Sequence, residues 1–322
     1  MLDLHVDFII QQRLFGYDAR KKHRPLLSGQ PLFWHSDLPR LQDAAFVGAC
    51  LGIHYFPWES PRGWTEMHKQ IDYLDAIAEA DPGTMRVRRP EDWVTAREQG
   101  KLGISPGVEG AHMLGGVIER VEELARRDPT YMTLAHFSKN SAATPSMGRG
   151  ANERDGLTGF GKELVSELER HGIFVDVAHV NTPGVLDVCA QATRPVLCTH
   201  TGLKGQHDHA RNISDDEIDA IRETGGLIGV MFAPCFMADS LRADTRCVLD
   251  HLEYVLDRAG PEHVAIGSDL DGWLPTIPSD MRDCKDAWRV ADGLLARGHE
   301  QAIVDKITHL NALRLLSGGA AT

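Results

Sequence analysis

Ile173-Phe174-Val175-Asp176-Val177-Ala178-His179, followed closely by Pro195-Val196-Leu197-Cys198-Thr199-His200, decides how this chain folds. Each is a β-prone apolar run that ends on a histidine. Packing gives no reason for two successive strands to finish on the same polar residue. A barrel of parallel strands does, because it gathers C-terminal strand ends into one mouth where distant side chains can share a metal. The same pattern of an apolar run and then a polar residue recurs on either side. His5 and Asp7 belong to Met1–Ile9, Glu109 closes Leu102–Val108, His136 follows Tyr131–Ala135, and Asp269 follows His263–Gly267. With Ala45–Ile53 and Gly226–Phe232 these make eight expected strands separated by helical patterns, the signature of βαβ units. The spacing predicts an α/β fold, a (β/α)8 TIM barrel forming a single domain over residues 1–322.

Between the strands, Phe160–His171 sets Leu164, Val165 and Leu168 against charged neighbours, an amphipathic helix that covers a sheet. Ser214-Asp215-Asp216-Glu217 reads as an N-cap and acidic first turn. Gln11–Arg40 and Phe137–Asp155 lack this rhythm and are expected as loops that shape the mouth. Gly156-Leu157-Thr158-Gly159-Phe160-Gly161-Lys162 imitates a phosphate loop, but Glu163 stands where the hydroxyl residue belongs and no strand directly precedes it.

Composition narrows the class of function. The chain has 322 residues, 42% of them hydrophobic, enough to bury a large core. Its formal charge of −12 argues against a nucleic-acid or anionic-membrane surface and leaves small molecules as the expected partners. Six cysteines form no C-x-x-C pair, which suggests reduced thiols and a cytoplasmic setting. The N-terminus shows no secretory leader pattern, and no apolar stretch approaches the roughly 20 residues of a spanning helix.

The candidate ligands suit one kind of chemistry. His5 and Asp7, two apart on an expected strand, would face the same way and clasp one cation. Glu109 can bridge two cations, or it can serve as an N-terminal charge for the helix around Val117–Arg127. His112 reads as a supporting residue. A shell of His5, Asp7, Glu109, His179 and His200 mixes imidazole with carboxylate, which favours zinc, manganese, iron or cobalt over calcium and magnesium. Asp269 is the expected proton carrier of a metal-assisted hydrolysis, with Asp271 expected to form a turn with Gly272. His136 could donate to a developing oxyanion, and Arg211 could pair with a substrate carboxylate. Cys198, inside a strand, reads as packing.

In order and spacing, these residues resemble the membrane dipeptidase family, also called renal dipeptidase, of the amidohydrolase superfamily. His5-Val6-Asp7 resembles its first-strand H-x-D, Gly107-Val108-Glu109-Gly110 its bridging-glutamate segment, and Asp176-Val177-Ala178-His179 and Thr199-His200 its two histidine segments. Gly267-Ser268-Asp269-Leu270-Asp271-Gly272 and Asn311-Ala312-Leu313-Arg314 resemble its C-terminal signatures. The resemblance implies two Zn²⁺, or other divalent transition metals, with His5, Asp7 and Glu109 holding one and Glu109, His179 and His200 the other. It further implies hydrolysis of dipeptides, with a D-residue admissible at the C-terminal position, Asp269 as acid/base, His136 and Arg211 on the substrate, and a homodimer by analogy. Departures surround the substrate. Leu4 and Val6 replace the usual Gly and Asn, and Gly48-Ala49-Cys50-Leu51-Gly52 replaces a stretch that ends in aromatic residues, which is expected to remove aromatic surface. The alternatives are an amidohydrolase of the same fold acting on an N-acyl amino acid, a cyclic amide or a lactone, and a catalytically silent metal-binding protein.

Overall fold

The computed structural model describes residues 1–23, 34–56, 58–272 and 277–319. Nine strands run through them: β1 Leu2–Val6, β2 Gly48–Ile53, β3 Thr84–Arg86, β4 Leu102–Glu109, β5 Tyr131–Thr133, β6 Phe174–Asp176, β7 Leu197–Thr201, β8 Leu227–Val230 and β9 Val264–Ile266. All their pairings are parallel, as βαβ crossovers dictate. β2 pairs with both β1 and β4, and β1 pairs with β9, so β1, β2 and β4–β9 close into the expected eight-stranded barrel.

β3 is the strand the sequence pattern does not announce. It pairs with Leu102–Ile104 at the start of β4, while β5 pairs with Gly107–Glu109 at its end. One long strand therefore serves two short neighbours. Met1–Ile9 is also shorter than expected as a strand: β1 stops at Val6 and a helix begins at Phe8. Phe8, Ile9 and Ile10, which read as a continuation of the strand, are buried on that helix instead. That helix, Phe8–Phe15, occupies the start of the expected loop Gln11–Arg40, whose residues 24–33 lie outside the described residues. Gly159–Arg170 is the expected amphipathic helix, capped by Thr158, whose Oγ1 accepts from Gly161 N at 2.9 Å. A cap thus accounts for the imitation of a phosphate loop. Ser214 is the expected N-cap, and the structure adds a capping box with Glu217.

Two apolar layers hold the barrel. Leu2, Leu4, Cys50, Tyr131, Leu197, Leu227 and Ala265 pack inside it with Ala312, Leu313 and Leu316 of the C-terminal helix. Asn311 fixes that helix, giving its side-chain amide to Pro261 O and Val264 O at 2.7 and 2.9 Å. A larger cluster lies between strands and helices. Among the described residues no helix is long and apolar enough to cross a membrane.

One polar tie in this outer layer makes stability depend on pH. His251 is buried, accepts from Leu203 N at 2.9 Å through Nδ1, and meets Met237 O at 3.1 Å through Nε2. Burial pushes its pKa down to about 4. Its unfolded value is near 6.5, so the unfolded chain binds the proton first, and this contribution is intact above that pH and lost as pH falls toward 4. Between pH 7 and 5 the loss is about 2 kcal/mol. Urea unfolding of the wild type should show that extra loss relative to His251→Gln; parallel losses in both would exclude this origin.

Candidate metal centre

Strand geometry brings the chemistry together. His200 lies within β7 and Glu109 ends β4, while His54 and Asp7 follow β2 and β1 directly. His136, His179 and Asp269 come three residues after the ends of β5, β6 and β9. Asp7 is therefore not on the strand with His5; it heads the helix Phe8–Phe15. A register shift between Asp3 and Val6, together with the bond from Asp7 N to Leu270 O at 2.8 Å, still turns its carboxylate back toward His5. His179 and Asp269 have φ of +66° and +59°, uncommon for residues with a side chain and concentrated where function constrains the backbone.

Three sets of donor atoms converge, each within 4.8 Å: His5, Asp7 and Glu109; Glu109, His179 and His200; and His5, His200 and Asp269. His5 Nε2 stands 3.1 Å from Asp7 Oδ1 and 3.7 Å from Glu109 Oε1. Glu109 Oε1 lies 3.1 Å from His179 Nε2 and 3.4 Å from His200 Nε2, and these two nitrogens are 2.9 Å apart. Two donors held tetrahedrally by one zinc stand about 3.4 Å apart, so the spacing fits a shared cation.

Hydrogen bonding behind the ligands points the same way. Thr199 Oγ1 donates to Asp176 Oδ2 at 2.9 Å, so it accepts from His200 Nδ1 at 2.9 Å. Tyr131 OH donates to Leu4 O at 3.1 Å, so it accepts from His5 Nδ1 at 2.6 Å. Both rings then direct an unprotonated Nε2 into the centre, the arrangement ligating histidines require. His5 Nε2, Asp7 Oδ1, His54 Nδ1 and Glu109 Oε2 are buried with no hydrogen-bond partner among the described residues. So many orphaned polar atoms in one place would be costly unless a cation satisfied them, and the donor set fits a divalent transition metal.

Without such a cation the carboxylates recruit a proton. Burial alone would lower the pKa of His5, but Asp7 and Glu109 outweigh it and push the ring up to about 10. Burial holds His179 and His200 well below the ordinary imidazole value. Metal uptake must displace that proton from His5, so affinity should rise with pH.

Gly52 is the residue that makes room for this clasp. A Cβ there would lie 1.7 Å from Asp7 Oδ1 and 3.1 Å from His5 Cε1. Gly52→Ala should therefore displace Asp7 and weaken metal binding at least tenfold while far-ultraviolet circular dichroism stays unchanged. Unaltered metal affinity, measured by chelator competition, would show that Asp7 is not needed where it stands.

The centre opens into a cavity of about 270 Å³, small-molecule scale. Asp7, His54, Glu109, His136, His179 and Asp269 line it together with the apolar and aromatic side chains of Ile10, Leu14, Tyr55, Phe56 and Phe137. Aromatic surface is thus not lost with Gly48–Gly52; residues just beyond β2 and β5 supply it. Arg13 lies over the rings of Tyr55 and Phe56, 4.9 and 5.2 Å from their centres. His136 Nε2 is 3.7 Å from Glu109 Oε1, and burial pushes its pKa down to about 4, keeping the ring neutral.

Arg211 stands apart from this lining. It is 2% exposed and gives Nη2 to His200 O at 2.8 Å, while its Nε has no partner among the described residues. Asp271 is engaged elsewhere: its carboxylate accepts from His35 N, Ser36 N and Ser36 Oγ at 2.7 to 2.9 Å. Gly272 N bonds Asp269 O at 3.2 Å, so the expected turn spans Asp269–Gly272. His112 braces the loop after β5 through Ser138 O at 2.9 Å. His54 is the site residue that sequence reasoning missed, although Ile53-His54 repeats the ending of the two histidine strands.

Comparison with known proteins agrees with this geometry. The model of the membrane dipeptidase family (peptidase family M19) matches residues 1–320. Dipeptidase tcpJ of Claviceps purpurea is 30% identical over 98% of this chain and 76% of its own length. Among solved structures, the metallopeptidase dipeptidase AC superposes with a TM-score of 0.86 at 25% identity, covering 99% of this chain and 98% of that one. A metallopeptidase from Rhodobacter sphaeroides, liganded with a phosphinate mimic of the dipeptide L-Ala-D-Ala, gives 0.85 at 22% identity, covering 98% and 97%. With that match over nearly its whole length and a cluster of buried metal donors at the barrel mouth, the chain belongs to the membrane dipeptidase family and is a metal-dependent hydrolase.

Proposed function

We propose that this enzyme is a two-zinc dipeptidase that accepts a D-residue at the C-terminal position. The observation that carries the reading is the place of Glu109 between two donor sets, one with His5 and Asp7 and the other with His179 and His200. Those residues would hold the ions, which when bound supply Lewis acidity and lower the pKa of water. Asp269, which lines the cavity, would take a proton from the attacking water and pass it to the leaving amine. His136, neutral and facing the cavity, would donate to the oxygen of the scissile carbonyl. Arg211, with an unpartnered Nε, would attract the substrate's α-carboxylate. The relative solved with an L-Ala-D-Ala mimic supports the choice of substrate. Six unpaired cysteines support a reducing, cytoplasmic compartment.

The test is hydrolysis by zinc-reconstituted protein of L-Ala-D-Ala and L-Ala-L-Ala alongside an N-acyl amino acid, a cyclic amide and a lactone. Dipeptides should be the better substrates by kcat/KM. Turnover of only the other compounds would move the assignment to an amidohydrolase of a different substrate class, and turnover of none would favour a silent metal-binding protein.

A further inference from the structure

We infer that His54 is a sixth protein ligand of the centre, adding a nitrogen donor to the ion held by His5, Asp7 and Glu109. The inference rests on the two-metal reading above. Its ground is geometric. His54 Nδ1 lies 3.3 Å from Glu109 Oε2 and 3.9 Å from Asp7 Oδ2, spacings close to those among the other donors. The residue is 8% exposed, and Nδ1 is buried without a hydrogen-bond partner among the described residues although a carboxylate oxygen is near. An imidazole that served only to position Glu109 would use that nitrogen as a donor along a hydrogen bond. Here both Nδ1 and Glu109 Oε2 remain unpartnered, the condition of two ligands that face a common cation.

The backbone fixes this placement. His54 O accepts from Gln70 Nε2 at 2.8 Å, and Gln70 is itself buried on the helix Gly63–Ala80. The residue leaves β2 two positions after Gly52, whose missing side chain admits Asp7. One consequence is a more even centre. The His179 and His200 side has two imidazoles and the shared carboxylate; with His54 the His5 side also has two imidazoles, beside Asp7 and Glu109. More nitrogen in the shell favours zinc and cobalt over harder ions.

The test is metal binding rather than turnover. Metal-free wild type is titrated with Zn²⁺ and with Co²⁺ against a chromogenic chelator, beside His54→Asn, which keeps a hydrogen-bond donor, and His54→Ala. Wild type should take two equivalents. Both variants should keep one equivalent at unchanged affinity and lose at least tenfold on the other, with a changed visible Co²⁺ spectrum for that equivalent. Two unaltered equivalents in His54→Asn would overturn the ligand role and leave His54 a positioning donor. Fewer than two equivalents in wild type would instead overturn the two-metal reading, and the inference with it. Should neither variant fold, a crystal of zinc-loaded wild type decides: Nδ1 at about 2.0–2.1 Å from zinc is expected, and a separation above about 3 Å overturns it.

Discussion

Glu109→Gln is expected to lower kcat/KM by about 10⁴-fold or more and to leave the purified protein short of metal. Glu109 Oε1 is the atom that lies within 3.7 Å of His5, His136, His179 and His200 together, so a neutral amide there weakens every donor set that shares it. Metal ions supply several kcal/mol of transition-state stabilisation, and each 1.36 kcal/mol is a factor of ten in rate. The fold should survive, because the strand pairing of Glu109 with Thr133 runs through the backbone. Metal content and kcat/KM measured on one preparation check the result. Two retained equivalents with activity within tenfold of wild type would remove Glu109 from the centre.

The parts of this centre that could be read in the sequence are those carried by strand ends. β6 and β7 announce themselves because each apolar run ends on a histidine, and the barrel that such endings require is the barrel observed. β3 escapes because Thr84-Met85-Arg86 is not an apolar run, and it pairs with one strand alone. The Asp7 carboxylate was legible, but its place at the head of a helix was not, since the turn depends on a distant backbone bond to Leu270. The residues that orient the ligands were invisible for the same reason. Tyr131 reaches His5, and Asp176 reaches Thr199 behind His200, only after the strands have closed. Asp269 and Asp271 illustrate the limit most directly, as two similar residues in one short motif. Contacts from Asp271 to His35 and Ser36, more than two hundred residues away in sequence, commit that carboxylate to holding a loop.

Asp269→Asn tests the other half of that division and should cost about 10²–10⁴-fold in kcat with both metals retained, the scale of a lost proton-transfer group. The substitution is a clean one for a backbone reason. Asp269 sits at φ +59°, a region that asparagine also tolerates, so the turn to Gly272 should persist. The side chain is confined as well: a Cβ on Gly272 would lie 2.1 Å from Asp269 Oδ1. Burial pushes the Asp269 carboxyl well above the usual carboxylate range; His5 opposes this, and Asp7 and Glu109 reinforce it. Such a group can hold a proton, which asparagine cannot accept or release. Yet Asp269 Oδ1 is also 4.0 Å from His5 Nε2 and belongs to a donor set with His5 and His200, so ligation is the competing role. Metal content separates the two. If Asp269→Asn loses an equivalent of metal, Asp269 is a ligand; if it keeps both and turns over within threefold of wild type, it is neither. Asp271→Asn supplies the contrast: it weakens the clamp on His35 and Ser36, so its effect should fall on thermal stability and leave kcat largely in place. A proton carrier and a structural carboxylate two residues apart should thus fail in different measurements, and that difference is what the single turn after β9, with positive φ at both Asp269 and Asp271, keeps separate.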